Sequence, residues 1–457
     1  MPNLRLTSPG ITFLLVCFIL ISPSFCGAQT TDFTAPDQHA ADDHTAKKWW
    51  QQIEARWGGQ VKVRGLAAFP DPDSIYGSLG TDPDYDASGE FRLLNTLFFT
   101  DHIRFDTHYE TVIVGGDAFR KANQLEQMYP GVLPVAVLLN PIPNDALRAF
   151  NLSDVIKETD SAVWYQRLDR LYLSLQQDWG VLRIGRQAVT WGNGLIFNPM
   201  DLFNPFPPTD IERDYKLGDD MIVYQAPVRD IGNLEALYVA RRDPDSGDIA
   251  WSQSSLAANM RFFPGMYEFN LMAAKNYEDF VIGAGGVGYL GGAAWRVDAT
   301  WTFLNPDSSS NNYLSLVANI DRSWVWKEKN FYGLLEFYWN GLGEDDYIEA
   351  LNNPDIVKRL ATGELFVLGR PYLSGSIRAE LHPLFNVFFT AINNISDPSG
   401  ILQPYATYDF AADFQLLFGA NLFYGAKGTE YGGILIPGTD LTLRSSDSVF
   451  ARIGYFF

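Results

Sequence analysis

The feature that most constrains the fold is an alternation of apolar and polar residues that recurs, with interruptions at connections, from residue 60 to residue 457. In the stretch 294–303, for example, the apolar residues Trp295 and Val297 flank Arg296. Successive side chains of a β-strand point to opposite faces, so this pattern gives each strand one apolar face and one polar, charged face. A soluble β-sandwich shows the same alternation, because its two apolar faces pack against each other. The pattern therefore predicts an all-β fold but not the phase that surrounds it.

The lengths of the connections favour a membrane barrel over a sandwich. Short connections are predicted at 99–102, 177–180, 229–233, 263–266, 290–292 and 382–385. They alternate with mostly longer connections at 70–89, 116–161, 189–219, 243–253, 305–311, 342–364 and 426–446. Short periplasmic turns and longer external loops are typical of outer-membrane barrels. We predict a transmembrane antiparallel up-and-down β-barrel over residues 60–457, with about 18 strands and a range of roughly 16–18.

Composition and charge exclude several other classes of protein. The chain contains 32 Phe, 22 Tyr and 12 Trp, whereas a disordered chain has few aromatic residues. Many of these aromatic residues lie near predicted strand ends, where interfacial girdles require them. Beyond the N-terminal leader, no stretch approaches the ~20 consecutive apolar residues that a spanning helix needs. The formal net charge of −20 argues against a nucleic-acid partner, because such a protein needs a basic surface.

Residues 1–28 are predicted to be a cleaved signal peptide. A positively charged residue precedes the apolar run 11–21, and small residues precede the expected cleavage after Ala28. A lipoprotein signal with an acylated Cys26 is the alternative, but Phe25 stands where that signal needs a small residue. Cleavage removes both cysteines of the chain, so no disulfide or thiolate site is expected in the mature protein.

Residues 29–59 are predicted to form a periplasmic segment that contains a short amphipathic helix. Within the stretch 47–57, four apolar residues stand at helical spacing: Trp49, Trp50, Ile53 and Trp57. A helix that rests at the membrane interface or against the barrel mouth fits this spacing. An ordinary short helix before the first strand fits it equally well.

Three blocks of sequence resemble known outer-membrane proteins. The final strand, VFARIGYFF (449–457), resembles the assembly signal that the barrel-assembly machinery reads in Gram-negative outer-membrane barrels, with Tyr455 and Phe457 as the signal residues. The block 183–220 is similar to the Gly-Arg-Gln…Trp-Gly…Asn-Pro-x-Asp block of porin-like barrels of uncertain substrate. The stretches 393–410 and 424–433 look like the last-hairpin region of those barrels. The resemblance implies a location in the cell outer membrane, among lipid and lipopolysaccharide, but no substrate.

Charged residues on the polar faces are candidates for the wall of a water-filled lumen. Alternation assigns to this wall Arg104, Asp106, His108, Glu110, Arg261, Glu268, Arg296, Asp298, Asp321, Glu336, Arg378, Glu380 and Arg452, with Arg170 and Arg183 added where the alternation is irregular. Opposite charges in a pore bias which solutes enter, but pairing between neighbouring strands explains any single residue as well.

Three of these arginines stand two residues before a carboxylate on the same strand. The three spacings are Arg104 with Asp106, Arg296 with Asp298 and Arg378 with Glu380. Residues i and i+2 share a face of a strand, so the spacing predicts three ion pairs on the lumen wall.

The connection 189–219 is rich in Pro and Phe and is the candidate constriction loop. Its apolar side chains avoid water if the loop folds into the barrel mouth or if it packs over a neighbouring subunit, and the sequence leaves both open. In the first case the narrowing is lined by Asp201, Asp210, Glu212, Arg213, Asp214 and Lys216. A second long connection is predicted to be helical over 345–363 and broken at Pro354.

Acidic clusters at 71–74, 82–86 and 243–248 are candidate cation sites, because carboxylates bind Ca²⁺ or bridge through divalent ions to lipopolysaccharide. None has the spacing of a twelve-residue calcium loop, so solvated loops are favoured and neither metal nor cofactor is expected. Catalysis is not expected either. His108 is the histidine predicted in the middle of a strand, and no local motif places a Ser beside it.

These features predict a porin-like outer-membrane channel for passive or facilitated diffusion of small polar or charged solutes. One alternative is a substrate-selective exporter of an acidic polysaccharide, which requires a predominantly basic track. The other is a structural or adhesive barrel with a plugged lumen, which would not conduct ions. The solute and the oligomeric state are left open by the sequence.

Overall fold

The computed structural model describes residues 53–128, 144–203 and 205–457, and most of them form one antiparallel β-sheet. In chain order the strands are β1 (Glu54–Phe69), β2 (Asp84–Thr100), β3 (Ile103–Gly116), β4 (Ser153–Glu158), β5 (Ala162–Gln177), β6 (Gly180–Gln187), β7 (Asp219–Val228), β8 (Gly232–Val239), β9 (Ser255–Phe262), β10 (Glu268–Asn276), β11 (Asp279–Leu290), β12 (Ala293–Phe303), β13 (Tyr313–Trp326), β14 (Lys329–Asn340), β15 (Pro371–His382), β16 (Phe385–Asn394), β17 (Ser399–Ala411), β18 (Phe414–Tyr424), β19 (Ile434–Leu435), β20 (Thr442–Leu443) and β21 (Asp447–Phe456).

The sheet closes on itself because β1 pairs with both β2 and β21. Each other barrel strand pairs with its neighbours in sequence, which is the up-and-down topology that the connections predicted. Within the described residues the barrel has 18 strands, since β4 only extends the free edge of β5 beyond the end of β6, and β19 and β20 form a separate hairpin. The predicted fold class and strand number are confirmed.

The connections fall into two sets at opposite ends of the barrel. At one end, here called the turn end, they are short, as at 101–102, 291–292 and 412–413. At the other, the loop end, most are long, as at 188–218 and 341–370. Two loop-end connections are short: residues 395–398 join β16 to β17, and Tyr277 and Glu278 join β10 to β11, with Tyr277 in a left-handed conformation (φ 52°).

In the part of the chain that the structure describes, three helices lie at the loop end: α1 (Asp117–Met128), α2 (Tyr347–Asn352) and α3 (Pro354–Thr362), and a short 3₁₀ helix covers Gly77–Leu79. The helix predicted over 345–363, with its break at Pro354, is confirmed. Pro354 occupies the first turn of α3, where its missing N–H is not needed, and the side chain of Asn353 caps that helix. No helix among the described residues is long and apolar enough to cross a membrane.

The prediction that the barrel begins at residue 60, after a helix over 47–57, is wrong for the part that the structure describes. Glu54 to Gly59 belong to β1 and pair in register with Phe98 to Leu93 of β2. β2 offers backbone hydrogen-bond partners to residues 54–59, and this tertiary pairing outweighs the weak helical preference indicated by the tryptophan spacing. Residues 47–52, like the predicted signal peptide, lie outside the described residues.

The outer surface is apolar and the inner surface is largely polar, as alternation predicts. On β13, β14 and β15 the large apolar residues Ile320, Leu335 and Ile377 are exposed on the outside. Asn319 and Glu336, which precede and follow two of them, are buried inside. An apolar exterior around a polar interior fits a barrel in lipid, where every backbone N–H and C=O of the spanning part must be bonded within the wall.

Closure brings the two ends of the barrel together at Gly59. Its N–H donates to the carbonyl oxygen of Phe457 (2.8 Å), and the N–H of Phe457 donates to the carbonyl oxygen of Gly59 (3.0 Å). A Cβ on Gly59 would lie 2.4 Å from the carbonyl oxygen of Arg92 and 2.5 Å from the Phe457 ring. Only glycine fits this close approach without moving a strand.

We expect Gly59→Ala to weaken barrel closure, because the added methyl group meets backbone on one side and the Phe457 ring on the other. The expected loss is about 1–3 kcal/mol, the usual cost of overpacking. The measurement is the temperature at which the folded, fast-migrating band converts to the unfolded band in detergent gels. Gly65→Ala on the same strand is the control, because a Cβ at Gly65 has no atom within 4 Å. Equal transition temperatures for both variants would contradict the closure argument.

Candidate functional site: the lumen and its loop

The connection between β6 and β7, residues 188–218 and here called the lumen loop, lies inside the barrel. It contacts inward residues on opposite walls: Asn193 binds Asp298 of β12, Thr209 accepts from Gln403 of β17 (2.8 Å), and Glu212 binds Arg64 of β1. Of the two positions that the sequence left open, the structure shows the first, a loop folded into the barrel.

The sequence Trp191-Gly192-Asn193-Gly194 gives the lumen loop a tight turn at its start. Gly192 has a left-handed conformation (φ 82°), and a Cβ there would lie 2.2 Å from the side chain of Asn198. A Cβ on Gly194 would lie 1.9 Å from the carbonyl oxygen of Phe197. The side chain of Asn198 then closes the turn by donating to the carbonyl oxygen of Trp191 (2.9 Å). The two glycines are therefore required by close approach.

Two wall carboxylates hold the next part of the lumen loop. Glu336 of β14 accepts the backbone N–H groups of Leu195 (2.8 Å), Ile196 (3.2 Å) and Phe197 (2.7 Å). Asp298 of β12 accepts from the backbone N–H of Asn193 and from its side-chain amide (2.7 Å). Both carboxylates are almost fully buried, with exposures of 1% for Glu336 and 0% for Asp298. We call this pair the carboxylate anchor.

The far part of the lumen loop binds basic residues of the opposite wall. Lys62 pairs with Asp214, and the Nε of Arg64 donates to both carboxylate oxygens of Glu212 (2.9 and 2.8 Å). Arg452 of β21 donates to the backbone oxygen of Glu212. The predicted loop residues Glu212 and Asp214 thus lie in the lumen. Asp210 and Arg213 pair with each other (3.0 Å), and Asp201 and Lys216 form a buried pair within the loop.

Lys62 and Arg64 were absent from the sequence candidates, although the stretch 60–64 alternates cleanly and assigns both to the inner face. Arg92 and Asp169 were also missed. They pair with each other, and the Arg92 guanidinium lies 4.2 Å from the ring centre of Tyr215 in the lumen loop. Alternation did not identify Asp169 as a lumen residue, because a register shift between β3 and β5 interrupts the pattern beside it.

Of the three ion pairs predicted within strands, one is confirmed. Arg104 binds Asp106 at 2.7 Å. The other two predictions are wrong. Arg296 pairs instead with Asp321 on the neighbouring strand β13, because Asp298 is taken by the lumen loop.

Arg378 and Glu380 form no ion pair in the described part of the chain. The Arg378 guanidinium lies 6.0 Å from the ring centre of Tyr332 instead.

The remaining predicted wall residues also face the interior. Glu110 pairs with Arg167, and Arg170 binds Asp169 (2.8 Å) and the backbone oxygen of Lys216 (2.7 Å). His108 meets the ring of Tyr215 edge-on, with ring centres 6.5 Å apart. Arg261 lies 3.7 Å from Glu268, and Arg183 lies 4.0 Å from Glu235.

Parts of the lumen are apolar, which the sequence did not predict. The loop-end halves of β7 to β11 point Met221, Val223, Leu237 and other apolar residues inward, where they pack against Trp191, Met200 and Phe203 of the lumen loop. A second apolar cluster joins Phe197 of the lumen loop to α2, α3 and the inner faces of β13 to β17. These strands are apolar on both faces, so alternation alone cannot show which side meets water.

A cavity of about 560 Å³, lined by both polar and apolar residues, lies on the turn-end side of the first apolar cluster, between the lumen loop and the wall formed by β6 to β9. Its lining includes Arg183, Glu235, Asn259, Arg261 and Thr190. Glu235 accepts from the indole N–H of Trp191 and from the amide of Gln225. The Nε of Arg183 and the Oδ1 of Asn259 are buried with no hydrogen-bond partner among the described residues. The cavity is thus lined by charged and amide side chains, whereas these two atoms are covered from solvent.

The acidic clusters at the loop end are occupied by basic partners or by their own turns. Asp71 pairs with Arg444 (2.7 Å), and Asp73 pairs with Lys427 (2.5 Å). Asp84 pairs with Lys121 of α1 (2.9 Å), while Asp243 accepts backbone N–H groups of its own turn. Within the described ranges no three His, Cys, Asp or Glu residues are grouped to hold a metal ion.

A buried network of ion pairs ties the segment 144–152 to the rim above β6 and β7. Asp145 binds Arg148 and Arg186 (2.9 Å to Arg186) and accepts the N–H of Leu152 (2.9 Å). Arg186 also binds Asp220 (2.9 Å). Burial by itself raises the pKa of Asp145, but the two arginines outweigh burial and lower its pKa to about 2.

We expect acid to release this segment in a definite pH range. The Asp145 pKa is depressed in the folded state, so its contribution of roughly 2 kcal/mol is present above about pH 4 and is lost as the pH falls toward 2. The measurement is cleavage of the segment by pepsin in detergent micelles at pH 4 and pH 2. Asp145→Asn should be cleaved equally at both values, whereas the exposed Asp160→Asn should behave as the parent. Parent protein that is cleaved equally at both pH values would contradict this account.

The comparisons with known proteins bear on the fold. A scan against protein-family models finds no match, and neither does a search of curated proteins. Among solved structures the chain is similar to OccAB2 of Acinetobacter baumannii, with a TM-score of 0.52 and 10% identity over 88% of this chain and 98% of that chain. OccK5 (OpdH) of Pseudomonas aeruginosa aligns with a TM-score of 0.48 and 9% identity over 88% and 98% of the two chains. The outer membrane protein OpdK of Pseudomonas aeruginosa aligns with a TM-score of 0.46 and 9% identity over 88% of this chain and 98% of that chain. The similarity to OccAB2 confirms the predicted porin-like barrel fold.

Proposed function

We propose that the protein is an outer-membrane channel for passive or facilitated diffusion of small polar or charged solutes. The observation that carries the proposal is the cavity beside the lumen loop, where the charged residues Arg183 and Arg261 line about 560 Å³ of space. Each guanidinium lies near one carboxylate, at 4.0 Å for Arg183 and 3.7 Å for Arg261, and both residues line the cavity. A solute that enters the lumen can exchange its hydration for these groups, which is how pore walls select.

An exporter of acidic polysaccharide is less well supported. Such a protein needs a continuous basic track, whereas Lys62, Arg64, Arg92 and Arg170 are each paired with a carboxylate in the described structure. A plugged structural barrel is the other candidate, and the apolar clusters around the lumen loop favour it. The two remaining functions differ in one observable, the passage of ions.

The test is single-channel recording of the purified protein in planar bilayers, with asymmetric salt to give the reversal potential. We expect discrete conductance steps. Replacing Arg183 and Arg261 by Gln leaves Glu235 and Glu268 without their cations, so the reversal potential should shift toward cation selectivity, most clearly at low ionic strength. Arg120→Gln with Lys157→Gln is the control, because it removes the same charge outside the lumen.

Two outcomes would count against this proposal. A folded, inserted protein that never conducts would favour the plugged barrel. A conducting protein whose reversal potential is the same in the lumen variant and the control would show that solutes bypass the cavity.

We further propose that the terminal strand carries the assembly signal and directs the barrel to the outer membrane, with Tyr455 and Phe457 as the residues read by the barrel-assembly machinery. Deleting Phe457 should leave precursor in the periplasm, because the truncation removes both the aromatic end and the two hydrogen bonds to Gly59. Fractionation of cells that express the two forms measures this. Phe457→Tyr keeps both features and should insert normally, and equal insertion of the truncated chain would refute the role of Phe457.

A further inference from the structure

We propose that the carboxylate anchor, Asp298 and Glu336, sets the width of the channel by holding the lumen loop across it. The inference rests on the proposed function, since it assigns positioning residues to that channel. Asp298 and Glu336 were predicted as wall charges that attract or repel solutes. In the structure the two carboxylates instead accept hydrogen bonds from N–H groups of the lumen loop and hold it in place.

The anchor differs chemically from the other charged contacts of the lumen loop. On the opposite wall, Asp214 and Glu212 of the loop are neutralised by Lys62 and Arg64. Asp298 and Glu336, by contrast, form no ion pair with a described residue, and the nearby Arg296 binds Asp321 instead. Their charges are compensated only by N–H dipoles and by the amides of Asn193 and Asn319 (2.7 and 3.1 Å). Converging backbone N–H groups form an anion-binding concavity, and here the wall supplies the anion.

Holding a loop in this way costs folding free energy, which argues that a fixed position of the loop serves the function. A buried carboxylate without a cation loses its hydration, and apolar residues of similar volume often serve stability equally well or better. Apolar partners were available, because Phe197 already packs against Tyr338 with ring centres 4.4 Å apart. Apolar packing tolerates sliding, whereas several directed hydrogen bonds define one position for residues 193–197. That segment lies where the loop begins to cross the lumen.

The arrangement predicts what happens when the anchor is neutralised. Asp298→Asn and Glu336→Gln keep the size of each side chain but remove the charge and half of the acceptor oxygens. The segment 193–197 should then leave its position, while the contacts of Glu212 and Asp214 hold the far part of the loop. The passage widens on the side of β12 to β14, and conductance rises for cations and anions together.

The experiment compares the parent chain with the Asp298→Asn, Glu336→Gln double variant in planar bilayers at 1 M KCl. At this ionic strength the screening length is about 3 Å, so the loss of two charges alone changes conductance little. We expect roughly a twofold rise in conductance and frequent current fluctuations, because a loose loop samples several positions. Arg104→Gln with Asp106→Asn is the matched control. It neutralises a charge pair on β3 that binds neither the loop nor the anchor, and its conductance should equal that of the parent.

A change on the loop side covers the case in which the double variant fails to fold. Leu195→Pro removes one N–H that Glu336 accepts, while the barrel wall stays intact. Leu195→Ala is its control, because the Leu195 side chain is 46% exposed and this change keeps the N–H. Leu195→Pro should raise conductance and Leu195→Ala should not.

A second measurement does not depend on conduction. Both cysteines of the chain lie in the predicted signal peptide, so Ile196→Cys introduces a single thiol into the mature protein. Maleimide should label this thiol several-fold faster when the anchor is neutralised than when it is intact. If the parent does not conduct but labelling accelerates, the channel function fails and the anchor stands. If conductance and labelling are both unchanged in folded variants, the anchor proposal is overturned and the channel function is unaffected.

Discussion

The whole structure depends on one constraint, the closure of backbone hydrogen bonds in an apolar phase. Lipid offers no partner to an unpaired N–H or C=O group, so a spanning sheet is stable only when its first and last strands meet. Here β1 pairs on one side with β2 and on the other with β21. The same requirement explains the glycine at position 59, because the absence of a Cβ there lets Phe457 approach within hydrogen-bond distance.

Closure with 18 strands creates a second problem, because the interior is too wide for the wall side chains to fill. The lumen loop addresses it by bringing its own apolar residues and its own polar backbone inside. Its apolar side chains pack against β7 to β11 on one side and against α2, α3 and the neighbouring wall on another. Its free N–H groups need acceptors, and Asp298 and Glu336 provide them. Some of the wall charges that alternation assigns to the pore, such as Asp298 and Glu336, therefore hold the lumen loop.

Local sequence patterns predicted the structure correctly where one physical effect acted alone. The predicted connections located most barrel strands within a few residues, because alternation and turn composition act over neighbouring residues. The exceptions at the start of the barrel are β1 and β2, which begin earlier than predicted. Pro354 divided the helical segment as its missing N–H requires. The predictions failed where two effects competed. The tryptophans of 47–57 suggested a helix, but β2 drew Glu54 to Gly59 into a strand, and the register shift beside Asp169 concealed a lumen carboxylate.

By itself, the sequence determined the all-β class, the number of strands, the two kinds of connection and the polar character of much of the inner face. Each of these follows from the period of a strand and from the chemistry of short turns, which are local properties. Only the tertiary structure decided the partners of the inward charges. The neighbour across a barrel wall depends on the stagger between strands, and the neighbour across the lumen depends on where a loop turns inward. Arg296 therefore binds Asp321 rather than Asp298, and Asp298 holds the lumen loop.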